Sequence, residues 1–125
     1  MFSVQGSRHS TRESTFLFAC DVTRAALKLH TRGRIAGELS VQLVSAAVSA
    51  ASNLEESDDA SSNRDFRAKE RISLRELKEA RLRLRVLRCV DLLPPDGDAL
   101  IHESTELVKI VATIIRNNAE KETRR

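Results

Sequence analysis

The sequence predicts an all-α protein, an antiparallel up-down-up-down four-helix bundle. Three observations carry this reading. The stretch Ser62 to Leu93 runs without Gly or Pro and is rich in Leu, Arg, Glu, Lys and Ala, all helix formers. Apolar residues recur at three- and four-residue spacing in three further segments, separated only by short breaks, so neighbouring helices must reverse direction. The 125 residues suit one domain, and with four Phe and no Tyr or Trp the core must be built from aliphatic and small side chains.

The first helix is expected over about 10–31, after a mobile arm at 1–9. Ser10 and Glu13 have capping-box spacing, in which each side chain satisfies an exposed backbone amide of the first turn. Phe18, Val22, Ala25, Ala26 and Leu29 make its inner stripe, widened by Phe16, Cys20 and Leu27, and Gly33 supplies a stop. The second helix, 34–57, turns Ile35, Leu39, Leu43, Ala46, Ala47 and Ala50 inward and carries Val41, Val44 and Val48 on a second stripe. Its small residues from Ser45 to Ser52 let another backbone approach closely.

After the break at Asp58 to Ser61, Ser62 is placed to cap the third helix, 62–93. Phe66, Ser73, Leu77, Ala80, Leu84 and Leu87 share one face of it. A second set, Ala68, Ile72, Leu82, Val86 and Val90, points broadly the other way and is the predicted oligomer interface. Pro94 and Pro95 end the helix, and Asp98 can cap the fourth, 98–119, whose inner face is Leu100, Leu107, Val111, Ile114 and Asn118, with Ile101, Val108, Ile110 and Ile115 beside it. A polar tail, 121–125, follows. Helices two, three and four each carry more apolar surface than one inner stripe uses, which argues for self-association.

Charge is segregated along the chain. Residues 1–34 carry six bases and two acids, 35–60 carry five acids and no base, and 64–88 carry ten bases and four acids, within a net charge of +3. Such alternation serves either packing between neighbouring helices or an exposed basic face. Cys20 and Cys89 lack C-x-x-C spacing and read as reduced, buried thiols, which suits a cytoplasmic location. No apolar run reaches the ~18 residues of a membrane span, and no secretory leader is apparent, so no membrane partner is expected.

The order of features resembles the four-helix-bundle proteins encoded in intervening sequences of large-subunit rRNA genes, formerly described as a ribosomal protein. The likeness covers roughly residues 16–118. Gln42-Leu43 followed by Ser45, Ser49, Asn53 and Glu56 matches the pattern of its second helix; Ser62, Asp65-Phe66, Lys69, Leu74, Glu76 and Glu79 match its third; Glu103, Glu106-Leu107, Ile110 and Ile114-Ile115 match its fourth. One departure stands out: Arg83-Leu84 occupies the place of an aromatic pair ending in Trp-Leu. The resemblance implies a homopentamer. A related branch, the accessory variability proteins of diversity-generating retroelements, binds nucleic acid and a reverse transcriptase, so the resemblance permits nucleic-acid binding and implies no catalysis.

The candidate nucleic-acid-binding residues are Arg71, Arg75, Lys78, Arg81, Arg83, Arg85 and Arg88, because a phosphate backbone calls for several cationic groups along one element. The competing reading pairs them with Glu55, Glu56, Asp58, Asp59, Glu76 and Glu79 as internal salt bridges. Asn53, Glu56, Glu76 and Glu79 are read as polar contacts between helices or partners of Arg: His9, His30 and His102 each lack a Glu three residues upstream, so the motif of a di-metal bundle is absent. There is no Gly-rich phosphate loop, G-x-S-x-G or zinc spacing, and the expectation is a non-enzyme without metal or cofactor. The favoured function is a homo-oligomeric scaffold associated with RNA or DNA; the alternative is a protein-interaction module or retroelement accessory protein partnering a reverse transcriptase.

Overall fold

The structure, a computed structural model, describes residues 8–124, with side chains from residue 11 onward. Residues 1–7, most of the expected mobile arm, lie outside the described residues. Four helices account for the fold: α1 (Arg8–Leu29), α2 (Arg34–Ser57), α3 (Asn63–Cys89) and α4 (Asp98–Thr123), the last preceded by a 3₁₀ turn, Pro95–Gly97. No strand occurs among the described residues. Each helix packs on the next and α1 also packs on α4, while α1 and α3 occupy a diagonal and their backbones do not meet.

One core runs through this bundle. Phe18 and Val22 of α1, Leu43 and Leu54 of α2, Leu77, Leu84 and Leu87 of α3 and Val111 of α4 are fully buried, each such apolar side chain contributing about 1.5–3 kcal/mol by leaving water. The whole predicted inner stripe of α3 is buried. Against it α2 presents Ala46, Ala47, Ala50 and Ala51. These short side chains bring the two backbones close enough for Ser73 Oγ of α3 to donate to the Ala50 carbonyl, 2.8 Å away. Buried Ser40, Thr15 and Ser104 instead donate to carbonyls of their own helices.

The helix ends differ from those expected in instructive ways. Since α1 begins at Arg8, Ser10 stands inside the helix and is not its N-cap. Gly33 does not end α1, which stops at Leu29; it precedes α2 with φ +114°, a conformation open to glycine. Ser62 caps α3, its hydroxyl accepting from the Asp65 amide at 3.0 Å.

At its far end α3 stops at Cys89, four residues before Leu93, because Asp91 adopts φ +62°. The Leu92 amide then reaches back to the Leu87 carbonyl and the Asp91 amide to that of Arg88, a Schellman closure with Asp in the place usually held by Gly. This turn folds Leu93 into the core. Asp98 is the first residue of α4 and makes no cap; its carboxylate takes the Arg88 guanidinium at 2.9 Å. The C-terminal segment expected as a polar tail continues α4 to Thr123, held by Arg67, which donates to Asn118 at 2.8 Å and to Glu122 at 3.0 Å.

Several side chains are placed otherwise than the periodicity suggests. Ile35, assigned inward, is exposed, as are Phe16 and Leu27, assigned to the inner face of α1. Conversely the surplus of α4 is taken up in large part: Val108 is buried and Ile101 and Ile115 pack against the core, while Ile110 stays half-buried outside it. Cys89 is exposed and Cys20 half-buried, so neither is a fully buried thiol. By length and composition α2 could cross a membrane, yet its inner residues are part of the bundle core, and the fold is compatible with a soluble protein.

Two glycines make a matched test of this packing. A Cβ at Gly97 would strike the buried Leu93 side chain, whereas one at Gly37 meets only the His30 carbonyl at 3.7 Å. Urea denaturation should find Gly97→Ala destabilised by about 1–3 kcal/mol through overpacking and Gly37→Ala stabilised by roughly 0.5–1 kcal/mol through helix propensity.

Candidate nucleic-acid interface

The seven basic residues singled out on α3 separate into two groups. Arg83 is engaged: it donates to Gln42 of α2 at 3.4 Å and to the Glu79 carbonyl at 3.3 Å, with the Glu79 carboxylate 3.9 Å away. Arg88 is held by Asp98. Arg71, Arg75, Lys78, Arg81 and Arg85 have no carboxylate within 4.0 Å among the described residues. Four of these five are exposed, and Arg81 is half-buried. Arg71, Arg75 and Lys78 stand on the side of α3 turned away from its buried stripe, as the 100° step per residue requires once Leu77, Leu84 and Leu87 face the core, while Arg85 and the half-buried Arg81 lie on the flank of that stripe.

Three of the six acids proposed as partners for these bases are in ion pairs, two with other bases and one, Glu79, with Arg83 of the set. Asp58 takes Arg12 at 2.8 Å, Glu56 takes Lys69 at 3.1 Å, and Glu79 takes Arg83. Glu55 and Asp59 make no ion pair within 4.0 Å among the described residues. Arg71, Lys78, Arg81 and Arg85 therefore keep their charge free of an ion pair among the described residues, and Arg75 acts on the neighbouring Glu76 carboxylate only through space, a state of charge that a polyanion can neutralise.

Between these bases lies apolar surface. Leu82, Val86 and Val90 are 55%, 40% and 55% exposed; Ala68 is exposed as well, and Ile72 is half-buried. Guanidinium groups beside aliphatic side chains make a mixed surface, able to meet a charged partner and a greasy one in adjoining strips.

The polar set on α2 and α3 behaves less uniformly than expected. Asn53 does not bridge helices: it donates to the Ser49 carbonyl at 2.9 Å and to the Ser49 hydroxyl at 3.3 Å, within α2. Glu56 does bridge, accepting from Lys69 of α3 and from Ser52 of its own helix. Partial burial pushes the Glu76 carboxyl above the ordinary carboxylate range, and the neighbouring Glu79 adds to this, against the opposing hydrogen bond from Ser49. Burial also raises Glu103, reinforced by the nearby negative charge of Asp21.

A more deeply placed acid is missing from the set the sequence singles out, because its charge argues against burial. Glu70 is only 2% exposed and accepts a 2.7 Å hydrogen bond from Ser57, itself buried at the end of α2. The signal is present in the sequence, since Glu70 falls between Phe66 and Ser73 on the inner stripe of α3. No group of three or more His, Cys, Asp or Glu side chains able to hold a metal ion occurs among the described residues.

The fold has a counterpart among solved structures. It matches a crystal structure of a protein of unknown function from the S23 ribosomal protein family of Bacteroides thetaiotaomicron with a TM-score of 0.80, over 87% of this chain and 97% of that one, at 22% sequence identity. At that identity the likeness is one of fold. No protein-family model matches the chain, and no curated protein matches it.

Glu76 supplies a test by pH. Its raised folded-state pKa means that the native protein binds more protons than the unfolded chain between the unfolded and folded values, so ionisation of Glu76 lowers stability as pH rises through that window. Glu76→Gln should therefore raise Tm relative to wild type at neutral pH and lose that advantage in acid, as read by thermal melts across a pH series.

Proposed function

We propose that this chain is a non-enzymatic, self-assembling member of the intervening-sequence group of four-helix bundles, working in the cytoplasm as a scaffold on RNA or DNA. The observation that carries the reading is the set of five α3 bases, Arg71, Arg75, Lys78, Arg81 and Arg85, left without a carboxylate partner. Their binding would be electrostatic and indifferent to sequence, because the four Phe and absent Tyr and Trp leave few rings on which bases could stack.

The bundle is read as antiparallel, up-down-up-down. Lys69 near the start of α3 meets Glu56 near the end of α2, while Arg83 further along α3 meets Gln42 further back in α2. Arg67 meets Glu122 at the end of α4, and Arg88 meets Asp98 at its start. Self-assembly is supported by the exposed Leu82, Val86 and Val90, and the pentamer is what the family resemblance implies. Repeating the α3 bases around a ring would multiply the field felt by one nucleic-acid strand.

A second reading also has an observation of its own. Phe16, Leu17 and Leu27 on α1 add exposed apolar surface away from the basic residues, which favours a protein partner such as a reverse transcriptase in the manner of the retroelement accessory proteins.

Binding of a labelled structured RNA and a DNA duplex across a salt series separates the two. For the scaffold, affinity falls steeply with salt, and replacing Arg81 and Arg85 by Ala lowers the log–log slope by about 0.7–0.9 for each phosphate no longer neutralised. No binding at low salt by an intact oligomer would reject the scaffold. Light scattering of Leu82→Asp/Val86→Asp should show dissociation to smaller species; an unchanged mass would remove these residues from the interface.

A further inference from the structure

We propose that the α3 ridge of one copy seats in the groove between α1 and α2 of the next, so that subunits join head to tail. This rests on the self-assembly reading above and names the receiving surface. The groove is bordered by Thr23 and Leu27 of α1 and Val41 and Val44 of α2, and it continues past Val48 and Phe16 to Glu55. Leu27 and Val41, at 70% and 64% exposure, are among the most exposed large apolar side chains of the bundle. The ridge, Leu82 and Val86 with Val90 behind them, has the complementary shape: a line of side chains standing out from one helix.

Register favours a second copy as the occupant. The contacts Lys69 to Glu56 and Arg83 to Gln42 index α3 against α2 along the bundle. By that index Leu82 lies at the height of Leu43, flanked in α2 by Val41 and Val44, and Arg71 lies at the height of Glu55. Copies related by a rotation axis parallel to the bundle meet at equal heights. Such a rotation therefore sets the ridge against the groove and, in the same register, Arg71 against Glu55.

Charge favours the same occupant. On the α2 wall of the groove stands Glu55, and the base on the α1 wall, Arg24, is paired with Asp21 of its own helix, whereas α3 is the basic helix. Neither Arg71 nor Glu55 has an ion pair within 4.0 Å in its own chain among the described residues. Ridge and groove are different surfaces on different helices, so the contact is heterologous, and about an axis parallel to the bundle it closes into a ring rather than a two-fold pair. It also divides the basic residues. Arg71 and Arg75 share a line of the helix with Leu82 and Val86 and enter the joint; Arg81 and Arg85 share a line with Arg88, which reaches toward α4, and remain open to phosphate.

The test is cross-linking in the full chain with Cys20→Ser and Cys89→Ser in place. Adding Val41→Cys and Leu82→Cys together should give, on oxidation, a ladder of covalent multimers, with little linkage from either substitution alone. Covalent dimers from Leu82→Cys alone would indicate a two-fold contact and overturn the proposal, as would the absence of linkage in a sample that light scattering shows to be oligomeric. A monomeric wild type defeats the self-assembly reading itself, and this inference with it. As a second measurement, Glu55→Arg should weaken subunit association about tenfold or more, and Glu55→Arg/Arg71→Glu should restore it; failure of restoration counts against the register.

Discussion

The close approach of α2 and α3 is the constraint on which the rest of the molecule depends. Buried alanines of α2, Ala50 among them, keep the bulk between helices small, and the Ser73 hydroxyl spans the gap to the Ala50 carbonyl. A hydrogen bond between a side chain and a main-chain carbonyl of another helix ties down translation as well as separation, which packing of aliphatic side chains alone does loosely. With α2 and α3 indexed, Leu77 and Leu84 face the core, and every other side chain of α3 has its direction assigned. The outward placement of the bases and of Leu82, Val86 and Val90 is a consequence of this seam.

The ion pairs that join one helix to another lie near helix ends. Arg12 reaches Asp58, Arg67 reaches Glu122, and Arg88 reaches Asp98. Partly exposed pairs of this kind contribute little stability each, typically below about 1 kcal/mol. Their effect is on where helices end. Arg67 holds the final turn of α4 in place, and Arg88 directs the first turn of the same helix.

The existence of four helices, the breaks between them and the whole inner stripe of α3 were legible in the sequence, because a three-to-four spacing sustained over many residues leaves little room for another period. Helix ends were less legible. Asp91 closes α3 in a backbone conformation more often given to glycine, and Gly33 opens α2 where a glycine after a helix suggests a stop. The basic residues could be found as a group, but not sorted: that Arg83 and Arg88 are engaged depends on Gln42 and Asp98, brought near by packing. Glu70 shows the opposite difficulty, since its position on the inner stripe was readable while its charge argued against burial.

The apolarity of α2 has a further bearing on biosynthesis. A nascent chain that has emerged only through residue 57 carries a 24-residue helix with the length and hydropathy of a membrane span, opening on Arg34 and preceded by Arg32. Insertion machinery reads such a segment by apolarity and flanking charge. The partner that covers its inner face, α3, follows after only the short connection at 58–62, so in the order of synthesis the exposed interval is brief. Lengthening that connection would prolong the interval in which a ribosome-bound chain can be misdirected, even where the finished fold tolerates the insertion.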